Sequence, residues 1–284
     1  KRRLRLGSGL ILFVFVLTHL TNHALGLISL EAMEAGQHYF LLAWRNPVGT
    51  TLFLGALLVH MMFALHSVST RRRLKMSIGE ALQLILGFAA PVLLVSHILG
   101  TRAAMQSFGT TDTYTYVLMA IWVDNPMSGI RQTAATLVVW VHACIGIYYW
   151  LRLKPWFARS LPWLYGLALL VPVLGLLGFA AAGRTVGRIL ADDPGIRLDI
   201  QIDTNAPTAE QIEFLHLLEA QILLGLAALL LLTLFARGIR LHLERRRGIV
   251  RIRYPEGRNI SVPPGTTILE ASQLNDIPHA SVCG

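Results

Sequence analysis

Residues 93–102 read Leu-Leu-Val-Ser-His97-Ile-Leu-Gly-Thr-Arg102, a histidine sunk in an apolar run with an arginine close behind it. Imidazole is costly in hydrocarbon unless a partner holds it. Three other stretches share the feature: FVLTHLTNH at 15–23, LLVHMMF at 57–63 and VVWVHACIG at 138–146. The four histidines, His19, His60, His97 and His142, follow one another at intervals of 41, 37 and 45 residues. A membrane-spanning helix takes about 20 residues, so each interval is one span plus one connection. One histidine on each of four consecutive membrane helices can axially ligate two b-type haems.

Composition agrees with a membrane setting. The chain has 284 residues, is 54% hydrophobic and 14% charged, and its mean hydropathy is +0.55. A net charge of +9 raises nucleic acid as a partner, but the basic residues form short clusters between apolar runs rather than a binding face, which excludes that class. Two cysteines, Cys144 within an apolar run and Cys283 at the end, offer no disulfide framework. The first apolar run lacks a small-residue cleavage site and carries two histidines, unlike a signal peptide. The chain reads as part of a longer protein.

Six apolar segments are long enough to span, at roughly 7–30, 47–69, 78–102, 131–152, 161–183 and 212–236. The clusters Lys1–Arg5, Arg71–Lys75, Arg152–Arg159 and Arg237–Arg247 then fall on one side, which the positive-inside rule makes the cytoplasm, with both ends of the chain there. The opposite connections (31–46, 103–130 and 184–211) hold Glu31, Glu34, Asp112, Asp124, Asp192, Asp193, Asp199 and Asp203. Within them, Tyr114–Trp122 reads as a short interfacial helix ended before Pro126, and Thr208-Ala-Glu-Gln211 as a capping box opening the sixth span. Pro91 and Pro172 lie within spans, where they are tolerated and can kink a helix beside a cofactor.

Depth predicts how the histidines pair. His19 lies 14 residues past Arg5 and His97 14 past Gln83, which is about 21 Å into the membrane at about 1.5 Å per residue. His60 lies 9 residues from Ser69 and His142 10 from Arg152, giving about 14 and 15 Å. If the four helices bundle in sequential order, these pairs are its diagonals. One haem is thus expected between His19 and His97, toward the outside, and a second between His60 and His142, toward the cytoplasm.

The competing reading of any one such histidine is a hydrogen bond to a neighbouring helix or a place on a proton path. His23, one turn beyond His19, is an alternative ligand or a contact to a quinone or a propionate. His66 reads as interfacial, and His216 with Glu219 as a protonatable or interfacial pair. His38, His242 and His279 read as solvated. For the propionates, Arg102 is placed to serve the outer haem because a bidentate guanidinium suits a carboxylate. Arg131, Arg184 and Arg188 are alternatives at the same level, and Arg71–Arg73 are candidates for the inner haem by location. Each can equally anchor a helix end at the headgroups.

The segments FVLTHL, LLVHMM, LLVSHILGTR and VVWVHACIG resemble the four-histidine signature of the diheme cytochrome b anchors of succinate dehydrogenases and fumarate reductases. The likeness covers about residues 1–155. It implies that the first-helix histidine pairs with the third and the second with the fourth, as the depths suggest. That family has five helices, whereas six spans are expected here.

After Gly248 the composition changes. Residues 249–253 alternate as a strand, 255–258 form a turn, 259–262 a second strand, 263–266 a loop and 267–274 a short helix. This segment resembles the start of a plant-type [2Fe–2S] ferredoxin. The resemblance implies that Cys283 is the first ligand of a cluster whose remaining ligands lie beyond this chain; a small β-grasp fold without a cluster is the other reading. Cys144 is read as a packing residue.

The expected architecture is therefore an all-α membrane protein. A six-transmembrane-helix bundle with a diheme four-helix core (1–247) is followed by the start of a β-grasp, ferredoxin-like domain (248–284). Six spans with cytoplasmic ends and a fused ferredoxin-like segment resemble the membrane anchors of certain bacterial class III adenylate cyclases. That resemblance implies a bacterial inner-membrane location, membrane quinone as redox partner, a homodimer formed through a downstream cyclase, and conversion of ATP to cyclic AMP by that cyclase. No catalytic residues of a cyclase are expected within these 284 residues. The alternatives are a cytochrome b subunit of a quinone oxidoreductase and a transporter or proton channel whose histidines carry protons.

Overall fold

The structure, a computed structural model, describes residues 2–74, 76–246, 248–254 and 257–278. Its helices are α1 (Arg2–Ala24), α2 (Leu30–Trp44), α3 (Pro47–Thr70), α4 (Ile78–Ile98), α5 (Ala104–Phe108), α6 (Tyr114–Leu118), α7 (Pro126–Leu151), α8 (Phe157–Asp192), α9 (Ile196–Asp203), α10 (Ala209–Arg246) and α11 (Ile268–Leu274). Two strands, β1 (Val250–Arg253) and β2 (Asn259–Val262), form one antiparallel hairpin with Val250 opposite Val262 and Arg253 opposite Asn259. Among the described residues six helices are long and apolar enough to cross a membrane: α1, α3, α4 with its continuation to Phe108, α7, α8 and α10. The chain is a multi-pass membrane protein.

Local sequence sets the helix starts. Ser77 and Glu80 form a reciprocal capping box at α4, and Thr208 and Gln211 exchange the same two bonds, at 2.9 and 3.3 Å, before α10. Asn125 caps α7, with Pro126 in the first turn, where its missing N–H has no helical partner to lose. Pro91 lies inside α4, and Pro162 and Pro172 lie inside α8, without ending either helix. Immediately after His97 the helix widens into a π turn, Leu99–Ala103, and a second follows α6 at Met119–Asp124.

The connections between the spans carry structure. Residues 31–46 contain α2, whose N-cap Ser29 accepts from the Ala32 N–H. The exposed Glu31 carboxyl in that first turn is held below its ordinary range by hydrogen bonds from Ser29 and from its own backbone. The long connection 184–211 contains the end of α8 and the two-turn α9.

By its contacts the chain forms two compact units. The first comprises residues up to Phe63 together with Ser77–Gly225. Its main core gathers Leu30 and Met33 of α2, Tyr114, Leu118 and Met119, and Phe179, Ala182, Val186 and Leu190 of α8. Helix α4 packs along α7, and α1 along α8. Small residues permit the second contact: a Cβ added at Gly178 would collide with the His23 carbonyl oxygen, and one at Gly175 would lie 3.1 Å from that of Leu20. The fifth span thus packs closely on the first, an association that a four-helix diagonal scheme does not foresee.

The second unit comprises Ala64–Met76 and the residues from Leu226 onward. Here two arginines of α10 close the end of α3. Arg237 donates to the carbonyls of Arg71 and Arg72 at 2.9 and 3.1 Å. Arg240 donates to those of Ser69, Thr70 and Arg71 at 3.1, 3.0 and 3.3 Å. A helix C-terminus leaves four carbonyls without intrahelical donors, and guanidinium groups satisfy two of them here, those of Ser69 and Thr70, together with the two carbonyls that follow the helix. Glu244 pairs with Arg240 at 2.6 Å and with Arg72 at 3.4 Å. Arg72 also reaches the Thr266 hydroxyl. Val262, Ala271 and Ser272 form the small buried centre of the hairpin-helix segment, where the Tyr254 and Ser272 hydroxyls lie 2.6 Å apart. Cys283 and His279 lie outside the described residues.

Candidate functional site

The four span histidines lie in two facing pairs. The ring centroids of His19 on α1 and His97 on α4 are 6.1 Å apart, with their planes tilted by 57°. Those of His60 on α3 and His142 on α7 are also 6.1 Å apart, at 86°. Two imidazoles bound to opposite sides of one metal, with metal–nitrogen bonds of about 2 Å, bring their centroids to about 6 Å. Neither α1 and α4 nor α3 and α7 pack extensively through their backbones among the described residues; the separation is bridged by the facing rings.

The donor set fits a haem. Among the described residues no cluster of three or more His, Cys, Asp or Glu could hold a metal ion, so a four-ligand protein site of the zinc type is not formed there. Two axial imidazoles can hold a metal whose other ligands come from a cofactor, as in a porphyrin.

Hydrogen bonds fix which nitrogen the second pair offers. His142 Nδ1 lies 3.0 Å from the Gln83 carbonyl oxygen. That oxygen only accepts, so Nδ1 carries the proton and Nε2 keeps its lone pair. Two glycines let the neighbouring helices approach these rings: a Cβ at Gly87 would lie 2.7 Å from His142 Cε1, and one at Gly9 would lie 3.2 Å from His60 Cε1. The first pair is different. His19 Nδ1 is buried without a hydrogen-bond partner among the described residues, and its ring stacks on Phe15 at 6.0 Å and meets Phe40 tilted at 5.2 Å.

His23 is directed elsewhere. It is 4% exposed, stacks on Phe179 of α8 at 5.3 Å and 7°, and meets Tyr114 edge-on at 5.6 Å. Its ring lies 4.5 Å from His19, so it is a neighbour of the first pair, while His19 is the ring set opposite His97. Beside it Asn22 donates to the Tyr114 hydroxyl at 2.8 Å and to the Met33 carbonyl at 3.3 Å. Burial pushes the Tyr114 phenol well above its ordinary value.

No protein-family model, curated protein or solved structure matches this chain. Its site therefore stands on its own geometry.

The arginines expected to serve propionates take distinct places. Arg102, in the π turn after His97, reaches the Thr50 hydroxyl of α3 at 3.5 Å. Arg131 pairs with Glu219 at 3.2 Å, which gives Glu219 a partner other than the expected His216; His216 is exposed. Arg188 bonds Thr185 at 3.4 Å, and Arg184 is exposed. His38, His66 and His242 are exposed as well.

Sequence reading missed the pairing of Arg45 with Asp112. The Arg45 guanidinium at the end of α2 grips the Asp112 carboxylate with both nitrogens, one at 2.7 Å, and Gln37 donates to the Asp112 carbonyl at 2.7 Å. This largely buried ion pair ties α2 to the connection beyond α5. No spacing signal links residues so far apart. The places of Gln83, Gly9 and Gly87 beside the histidine rings were missed because they depend on how each helix is rotated about its axis.

Proposed function

We propose that this chain is a redox-sensing membrane module that holds two b-type haems, one between His19 and His97 and the other between His60 and His142. The observation that carries the proposal is the pair of facing imidazoles at 6.1 Å, repeated on two sets of membrane helices. When bound, each haem supplies a one-electron Fe(III)/Fe(II) couple. The protein's part is to orient the rings, exclude water and set the basicity of the ligands. Backbone acceptance from His142 Nδ1–H does this on one side of the second pair. Arg102, within reach of α3, is the proposed propionate donor for the first pair, with Arg131 as the second cationic group at that level.

Membrane quinone is the proposed redox partner. The arginine-rich ends Arg71–Arg73 and Arg237–Arg246 are assigned to the cytoplasm of a bacterium by the positive-inside rule. From there the hairpin-helix segment, with Cys283 as a [2Fe–2S] ligand, is proposed to relay redox state to a dimeric class III adenylate cyclase. Support for that output is the resemblance of the six spans and fused segment to such anchors.

Two measurements test the proposal. A reduced-minus-oxidised spectrum of the purified protein should show b-type Soret and α bands; a spectrum without them refutes haem binding and favours a proton-conducting role. With a cyclase segment attached, cyclic AMP formation should differ between vesicles holding reduced and oxidised quinone. Equal rates, with the haem bands present, would leave electron transfer as the function.

A further inference from the structure

Ser8 of α1 is buried at 5% exposure and has no place in the reading so far. Its hydroxyl donates to the Arg5 carbonyl at 3.0 Å and lies 3.4 Å from His60 Nδ1. A serine hydroxyl has one proton to give and lone pairs to accept with. With His60 Nε2 turned to the metal in the proposed reading, Nδ1 carries the proton, and Ser8 Oγ can accept it while giving its own proton to the Arg5 carbonyl. The next residue, Gly9, lets α1 come this close: its Cβ would stand 3.2 Å from His60 Cε1 and 3.5 Å from Nδ1.

We infer that Ser8 is a positioning residue that fixes the His60 tautomer through the relay His60 Nδ1–H to Ser8 Oγ–H to the Arg5 carbonyl, and so lowers the reduction potential of the centre at His60 and His142. The inference rests on the haem reading above. An imidazole whose Nδ1–H is accepted by oxygen is a more basic ligand and favours the more positively charged metal state. Both rings of this pair have such an acceptor, Ser8 Oγ for His60 and the Gln83 carbonyl for His142. His19 Nδ1 has none among the described residues. The centre at His60 and His142 is therefore the lower-potential one, and Ser8 is the side chain through which it can be tuned. The Gln83 acceptor is backbone and survives substitution.

The test is a spectroelectrochemical titration of the α bands in the wild-type protein and in Ser8→Ala and Ser8→Thr. In wild type two one-electron midpoints are expected. Ser8→Ala should keep both haems and raise only the lower midpoint, by up to a tenfold change in ferric-to-ferrous preference, about 59 mV for one electron. Ser8→Thr, which restores a hydroxyl, should return it toward the wild-type value. An unchanged lower midpoint in Ser8→Ala overturns the role of Ser8 while leaving two-haem binding intact. A protein without haem bands overturns both. If Ser8→Ala assembles poorly, the threonine variant still decides, because a lower midpoint displaced despite the restored hydroxyl contradicts the relay.

Discussion

Replacing Gly87 with alanine sets packing against helix propensity in a way that only the second histidine pair resolves. Gly87 lies one turn past Gln83 on α4 and faces α7, where an added Cβ would stand 2.7 Å from Cε1 and 3.1 Å from Nδ1 of His142. Carbon atoms pack at about 3.5–4.0 Å, so the ring must retreat by about 1 Å. The imidazole cannot yield freely, because its Nδ1 is bonded to the Gln83 carbonyl at 3.0 Å. Retreat breaks a hydrogen bond worth about 1 kcal/mol and turns His142 away from the orientation in which it would hold a haem opposite His60. Disturbing a ligand's orienting partner costs about 10–100-fold in metal affinity. Helix propensity alone predicts the opposite sign, since alanine stabilises a helix over glycine by about 1 kcal/mol. The assay is haem per chain by pyridine haemochromogen, with Gly55→Ala on α3 as control, because a Cβ there meets nothing within 4 Å. Gly55→Ala should retain two haems, and Gly87→Ala close to one, with its fold intact by circular dichroism. Two haems with unchanged midpoints in Gly87→Ala would refute the reasoning.

Further substitutions probe the supports around the site. Gly178→Val should force α8 away from the His23 carbonyl, costing about 1–3 kcal/mol of overpacking, read as a lower thermal midpoint in detergent. Arg240→Ala removes the arginine donors to the Ser69 and Thr70 carbonyls, while that of Arg71 keeps its bond from Arg237. Charged hydrogen bonds of this kind contribute about 1.5–3 kcal/mol when dry, less at this partly exposed site, so cleavage by trypsin at Arg71–Arg73 should quicken about tenfold. Unchanged cleavage would show that the clamp is not what holds this end. Tyr114 is buried and its phenol titrates well above the usual value. The stability it confers is therefore whole below about pH 10 and is lost as the pH rises beyond that. Thermal melts should show this alkaline loss in wild type and less of it in Tyr114→Phe, which instead gives up about 1 kcal/mol at neutral pH with the bond from Asn22.

Much of the scaffold is written in local sequence. Spans, capping residues and the hairpin from Val250 to Val262 follow from hydropathy, hydrogen-bonding side chains and period-two alternation, all of which act over a few residues. The facing of His19 with His97 and of His60 with His142 follows from rise per residue, because helices crossing one slab share a common depth scale. What escaped is what depends on rotation and on long-range folding. Residues 31–46 mix acidic, aromatic and apolar side chains without the length of a span, and their helix is visible only once Met33 is buried against Tyr114 and Phe179. The grip of Arg45 on Asp112 joins segments separated by two spans. The contact of α8 with α1 rests on the absence of side chains at Gly175 and Gly178, which hydropathy does not register. Ser8 and Gln83 act through an acceptor aimed at a ring, and that aim is set by helix rotation.

Low-temperature electron paramagnetic resonance of the oxidised protein tests the paired-histidine arrangement most directly. Two low-spin ferric signals are expected, one removed by either His19→Ala or His97→Ala and the other by either His60→Ala or His142→Ala. Substitutions that erode a single common signal, or that divide the histidines into other pairs, would contradict it.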